Sequence, residues 1–295
     1  MSKNKQILFE TRYTNPEPIL LTSLIKEQTE ISGRALRKYF FKGLIMINGK
    51  KTHSQAKVKK GDLIRVYALG EEHQSLIAED LPLEIVYENN ELLIINKPAL
   101  IAVHPSGSIK SGTLANRVAA YFEKQQFKAK VRPVNRLDYG TSGLVIFAKN
   151  ATTQLKLSES IQKHQIIRIY HAVVQGIPKS SEGIIKLPIS VKGKQRTVAA
   201  EGDPAETHYR VLQVFKEHSL LELNLKTGRT HQIRVHLSHI GHPIVGDRQY
   251  GVVSNLIKRP ALHAYQLCFK NSPFAIPDLT VELPEDMKEL IKNLT

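Results

Sequence analysis

Arg132-Pro-Val-Asn-Arg-Leu-Asp-Tyr-Gly-Thr-Ser-Gly-Leu-Val-Ile-Phe-Ala-Lys149 is the densest stretch of the chain. Its end, 143–149, has the apolar, β-branched character of a strand, and Thr141-Ser142-Gly143 opens that strand. Asp138 precedes it in a turn between two strands, flanked by Arg136 and Gly140. Binding and catalytic groups concentrate on loops held by a rigid sheet, so a carboxylate here is a candidate catalytic group. Asp and Gly also build turns whatever the function, and local chemistry alone leaves both roles open. A serine nucleophile at Ser142 is not supported, because the Gly-x-Ser-x-Gly frame is absent.

Outward from this stretch, strands are expected at 83–87, 92–97, 166–175, 209–215, 220–226 and 262–269, and helices at 114–123, 152–163, 230–239 and 285–294. Leu221, Leu223 and Leu225 alternate with Glu222, Asn224 and Lys226, the period of a sheet with one buried face. Many consecutive strands lack an intervening helix, so the pattern predicts an α+β fold with a mixed or antiparallel sheet, not a doubly wound parallel one. The polar, acidic segment 70–80 reads as a linker, dividing the chain into 1–78 and 79–295. No internal repeat or low-complexity tract is found.

The amino-terminal part reads as a strand at 6–12, a helix from Leu20 to about Gln28, and a second helix capped by Ser32 and stopped by Gly43. Leu36, Tyr39 and Phe40 share one side of that second helix, and Arg34, Arg37, Lys38 and Lys42 share the other. No acidic residue is interspersed in this basic stripe, so it is a candidate nucleic-acid-binding face. A hairpin turning at Asn48-Gly49 and a closing strand at 63–66 follow. Residues 18–68 together resemble the small RNA-binding module found in ribosomal protein S-four.

The chain has 295 residues, 42 Lys and Arg against 27 Asp and Glu, and a formal net charge of +15. That excess points to a polyanionic partner, and RNA affinity is expected to fall steeply with salt. The single cysteine, Cys268, excludes an internal disulfide framework and a cysteine-based zinc site. No apolar run is long enough to span a bilayer, and Met-Ser-Lys-Asn-Lys-Gln at the start lacks the apolar core of a secretory signal. The expectation is a cytoplasmic, monomeric protein with no membrane association and no obligate protein partner.

The run Arg136-Leu-Asp-Tyr-Gly-Thr-Ser-Gly-Leu144 closely resembles the catalytic motif of the RluA family of pseudouridine synthases. Ile169-Tyr-His-Ala-Val-Val-Gln-Gly176 is similar to the family's tyrosine strand, and Leu225-Lys-Thr-Gly-Arg-Thr-His-Gln-Ile-Arg-Val-His-Leu237, 242–251 and Leu262-His-Ala264 follow in the family's order. The resemblance implies that a uridine within RNA is detached from its ribose, rotated and rejoined through a ring carbon. It implies Asp138 as the essential carboxylate, which must be an anion although burial without a counter-charge disfavours that form. It implies Arg229 as the arginine pairing with Asp138, Tyr170 as the tyrosine stacking on the target base, and Arg136 as the side chain filling the space the extruded base leaves. Arg168, Tyr170 and Ala172 fall on one strand face. Asn135 stands where the family usually has His, and Arg168 where Lys is more usual.

Large-subunit ribosomal RNA is the expected substrate, with transfer RNA as the alternative, and neither metal nor organic cofactor is implied. Two rivals remain: a non-catalytic RNA-binding or ribosome-assembly protein, and a metal-dependent hydrolase using His231, His236, His239, His242 and Asp247. The histidines lack the His-Glu-x-x-His frame, and a helix would spread them over different faces.

Overall fold

The computed structural model describes residues 7–29, 31, 33–67, 76–193, 195–251, 253–270 and 272–295, and all of these but Arg34 with their side chains. Two compact units are present, Met1–Ser75 and Leu76–Thr295. The first comprises β1 (Ile7–Arg12), β2 (Ile19–Leu20), α1 (Leu21–Gln28), α2 (Gly33–Phe41), β3 (Ile45–Ile47), β4 (Lys50–Lys51), β5 (Lys57–Val58) and β6 (Leu63–Tyr67). Its main sheet runs β1-β6-β3-β4, and β2 pairs with β5. Asn48 and Gly49 both have positive φ, 50° and 78°, the pair of left-handed conformations a two-residue hairpin turn needs. Leu21, Leu24 and Ile25 of α1 and Leu36 and Tyr39 of α2 bury against Ile45, Ile64 and Val66 of the sheet. This leaves Arg37, Lys38 and Lys42 exposed on the far side. The expected cap Ser32 lies outside the described residues, as does the side chain of Arg34.

The second unit comprises β7 (Ile85–Glu88), β8 (Leu92–Lys97), α3 (Leu114–Lys124), β9 (Arg132–Pro133), β10 (Ser142–Ala148), α4 (Ala151–Gln162), β11 (Ile167–Gln175), β12 (Glu182–Lys186), β13 (Ile189–Lys192), β14 (Gln195–Val198), β15 (Glu206–Val214), β16 (His218–Leu225), α5 (Gln232–His239), β17 (Leu262–Cys268), β18 (Leu279–Thr280) and α6 (Glu285–Leu294). The large sheet runs β12-β15-β16-β11-β17-β10-β8-β7, with β9 on β10 and β18 on β17. Among the described pairings only β10 with β17 is parallel, so the expected α+β class with a mixed sheet holds.

Every residue of β10 is buried, and its period of two divides them between two cores. Val145 and Phe147 join Leu93 and Ile95 of β8 under α3, α5 and α6. Leu144, Ile146 and Ala148 join Leu92 and Ile94 on the opposite face, where Leu157 of α4 covers them. The turn before β10 is therefore anchored to a strand sandwiched on both sides.

Where the β10–β17 pair begins, Gly143 sits at φ +109°, and a Cβ there would collide with the Ala264 backbone. No helix of the described residues is long and apolar enough to cross a membrane.

Candidate active site

Asp138 lies in the turn between β9 and β10, closed by the Thr141 N–H donating to the Asp138 carbonyl at 3.0 Å. The turn is held from behind. Arg259, 3% exposed, donates from Nη1 to the Gly140 carbonyl at 3.1 Å and grips both oxygens of Asp286 on α6 at 2.6 and 2.7 Å. Lys97, wholly buried at the end of β8, donates to the Pro98 and Ile101 carbonyls at 2.9 and 3.0 Å and shapes the turn leading to 102–106. Burial first, and Arg259 second, push its ammonium down to about 7.

A cleft of about 980 Å³ opens in front of Asp138, lined by Arg136, Arg168, Tyr170, Lys226, Arg229 and the 102–106 segment among others. Tyr170 comes from β11, where it pairs with Leu223 on one side and Ala264 on the other. An irregularity in register beside Tyr170 falls on β17, so β11 keeps its alternation and presents Arg168 and Tyr170 to the cleft together. Burial pushes the Tyr170 phenol up, Arg168 opposes this, and Asp138 adds to it, which keeps the hydroxyl neutral. Arg168 reaches the Thr227 carbonyl at 3.5 Å, and Arg136, exposed at the rim, reaches Thr230 Oγ1 at 3.4 Å.

Asp138 does not pair with Arg229. The guanidinium of Arg229 points away, to Asp203 at 3.6 Å and the Pro204 carbonyl at 3.1 Å, and remains 42% exposed. Arg234 takes the place expected for it, donating from Nη1 to Asp138 Oδ2 at 3.1 Å. The same guanidinium holds Asp247 through Nε at 2.7 Å and Nη2 at 2.9 Å. The reason is the start of α5. The helix was expected from 230 but begins at Gln232, whose side chain accepts from the Arg229 N–H and the Thr227 hydroxyl. Residues 227–231 thus form a loop, and the first arginine inside the helix, facing the core, is Arg234.

Asp247, 1% exposed, also accepts from the Gln249 and Tyr250 N–H groups. Burial alone would push its carboxyl up, but Arg234 and these amides hold it below the usual carboxylate range. His231 Nε2 stands 3.9 Å from Asp138 Oδ1, and Tyr250 lies against both His231 and Arg234.

The remaining histidines turn elsewhere. His236 bridges Thr207 and the Leu187 carbonyl, and His242 Nδ1 meets the Gln175 carbonyl at 3.1 Å. Among the described residues no group of three or more His, Cys, Asp or Glu side chains is placed to hold a metal ion. Asn135 is a backbone brace: it accepts from the Ile146 N–H at 2.8 Å and donates to the Leu144 carbonyl at 3.3 Å.

A carboxylate paired with a buried arginine thus faces a sheet tyrosine across a cleft rimmed with arginines, a surface that attracts polyanions. The family model for RNA pseudouridylate synthase matches residues 91–239. A ribosomal large subunit pseudouridine synthase D of Yersinia pestis is 37% identical over 284 residues, covering 90% of this chain and 87% of its own. The RNA pseudouridine synthase YhcT of Bacillus subtilis is 37% identical over 285 residues, 92% of each chain. In fold, the structure of human RNA pseudouridylate synthase domain containing 4 is similar with a TM-score of 0.60 and 23% identity, over 72% of this chain and 92% of that one. The chain belongs to the RNA pseudouridylate synthase family, as its RluA-like motifs led us to expect. It is an RNA pseudouridine synthase, an isomerase that modifies RNA.

Proposed function

We propose that this enzyme converts specific uridines of large-subunit ribosomal RNA to pseudouridine, with Asp138 as its catalytic carboxylate. The observation carrying this role is the 3.1 Å pairing of Asp138 with Arg234 in the cleft that also holds Tyr170. The paired guanidinium sets a counter-charge beside the carboxylate and orients it toward the cleft. Tyr170 then stacks on the base, and Arg136 at the rim enters the space it vacates when extruded, offsetting part of the unstacking free energy. The ribosomal substrate is supported by the name of the Yersinia pestis relative. The amino-terminal unit serves as an S-four-like RNA-binding module whose α2 face, Arg34, Arg37, Lys38 and Lys42, contacts phosphates. The enzyme works as a cytoplasmic monomer without a metal or organic cofactor.

Pseudouridine mapping of ribosomal and transfer RNA in cells lacking the gene, complemented with wild type or Asp138→Asn, tests this. One or a few large-subunit sites should vanish and return with the wild type alone. Sites lost from transfer RNA would reassign the substrate, and restoration by Asp138→Asn would remove the catalytic role. The Asp138→Asn protein is expected to keep RNA affinity within about threefold, since the change removes one charge and little volume.

A further inference from the structure

His231 precedes α5 with φ 58°, a left-handed conformation uncommon for a side-chain-bearing residue and often found at functional sites. Its ring lies between two hydroxyl- and carboxylate-bearing partners. Nδ1 is 2.8 Å from the Tyr250 hydroxyl, and Nε2 is 3.9 Å from Asp138 Oδ1. Which nitrogen carries the proton follows from the donors around it.

Arg234 can only donate, so the Gln249 atom 3.2 Å from its Nη2 is the amide oxygen. The Gln249 NH2 group therefore faces Tyr250 and donates to its hydroxyl oxygen at 3.3 Å. The Arg196 backbone N–H, from β14, donates to the same oxygen at 3.1 Å. With both acceptor positions taken, the Tyr250 O–H has one partner left, His231 Nδ1. Nδ1 accepts, and the ring proton resides on Nε2, facing Asp138.

We propose that His231 is a positioning residue for the isomerisation: fixed by Tyr250 as the Nε2–H tautomer, it donates to Asp138 Oδ1 while Arg234 holds Oδ2. This rests on Asp138 being the catalytic carboxylate. At 3.9 Å the contact is too long for a hydrogen bond, and closing it takes a movement of about 1 Å of the kind catalytic sites make when substrate binds. The two donors would then fix the plane of the carboxylate, so that one lone pair of each oxygen remains for the reacting base and sugar. Burial pushes the imidazole down from its ordinary value. Asp138 and Asp247 pull it up, while Arg234 and Arg196 push it further down. The net direction keeps the ring neutral at pH 7, as the tautomer requires.

The experiment uses the full chain labelled with ¹⁵N-histidine, with the His231 signals assigned by their loss in His231→Gln. At pH 7 the signals should be those of a neutral ring protonated on Nε2. In Tyr250→Phe, Nδ1 loses its donor, so the ring should protonate at higher pH beside Asp138. In turnover on substrate RNA, His231→Ala should lower kcat by about 100-fold, the scale of a misplaced reacting group, with KM within about twofold. His231→Gln, whose amide can still donate toward Asp138, should recover to within about tenfold of wild type. A wild-type ring protonated on Nδ1, or doubly protonated at pH 7, overturns the proposal, as does a His231→Ala kcat within twofold of wild type. Should His231→Ala fail to fold, the tautomer and the Tyr250→Phe titration still decide. An active Asp138→Asn enzyme would overturn the catalytic role of Asp138 itself. A wrong tautomer alongside an inactive Asp138→Asn enzyme overturns only the role of His231.

Discussion

Two arginines five positions apart show how differently the same side chain behaves on a loop and inside a helix. Arg229 is 42% exposed and faces a carboxylate, Asp203, that is 71% exposed, a pair that water screens almost fully. Arg234 is 9% exposed, and it neutralises Asp247, 1% exposed, while reaching Asp138. Removing the positive partner of a buried pair leaves a carboxylate stranded in the core, at about 3–5 kcal/mol. Arg234→Gln should therefore destabilise the enzyme by about that amount in urea unfolding and lower kcat by at least about 100-fold. Arg229→Gln should leave stability within about 0.5 kcal/mol, and its effect should fall on KM for RNA, because it lines the cleft. Equal loss of stability in both variants would contradict the pairing seen here. The signal for Arg234 was present in the chain: a lone arginine among Ile233, Val235 and Leu237 in a helix needs a buried counter-charge. It was outweighed by the motif match at Arg229. Turn and strand patterns placed Asp138 and Tyr170 in their elements, but only the resemblance to the RluA family gave them roles.

At the scale of elements, strands and helices with strong periodicity were legible and lightly patterned ones were not. β8, β10, β11, β16 and β17 fall within a few residues of their expected positions, because each has an apolar run or a clear alternation. The β13–β14 hairpin and β12 went unread. Lys192, Gln195 and Arg196 interrupt the hairpin's alternation, and β12 has a single buried residue, Ile185. Yet this hairpin supplies the Arg196 N–H that fixes Tyr250, so an element with little pattern supports the site. The parallel β10–β17 contact was also beyond pattern, because it joins segments more than a hundred residues apart, through backbone pairing and the 2.9 Å contact of Ser142 Oγ with His263 Nδ1. Its sequence trace is one residue, Gly143. An alanine there would meet the Ala264 backbone, which cannot move aside as a side-chain end can. Gly143→Ala should cost at least about 3 kcal/mol in urea unfolding, combining a disfavoured φ with overpacking. A loss of only about 1–2 kcal/mol, the conformational penalty alone, would mean that β17 backs away and that the approach is not needed to seat the Asp138 turn.

For the molecule as a whole, the described residues place part of the +15 excess in two groups of cations whose contribution to RNA binding can be separated by experiment. Arg136, Arg168, Lys226 and Arg229 lie around the cleft of the Leu76–Thr295 unit. Arg37, Lys38 and Lys42 stand on the exposed side of α2 in the other unit, opposite the buried Leu36 and Tyr39. Composition alone disclosed the excess and the period of α2 disclosed one location, but the cleft cations come from distant segments that only folding gathers. The two sets differ in what they can do. Cations around a cleft act close to whatever base enters it, whereas cations that meet phosphates position the RNA and carry no information about the base. Phosphate contacts release counterions, with a slope of about −0.7 in log affinity against log salt per contact on single-stranded RNA. Replacing Arg37, Lys38 and Lys42 together by Ala should thus weaken binding to all RNAs similarly and flatten the salt slope by about two. Filter binding or anisotropy on a substrate fragment and an unrelated RNA, between low and high salt, measures both quantities. A slope unchanged by the triple substitution would place the phosphate contacts in the cleft instead. A loss confined to the substrate fragment would mean that α2 reads a particular RNA shape, which a bare row of cations cannot do.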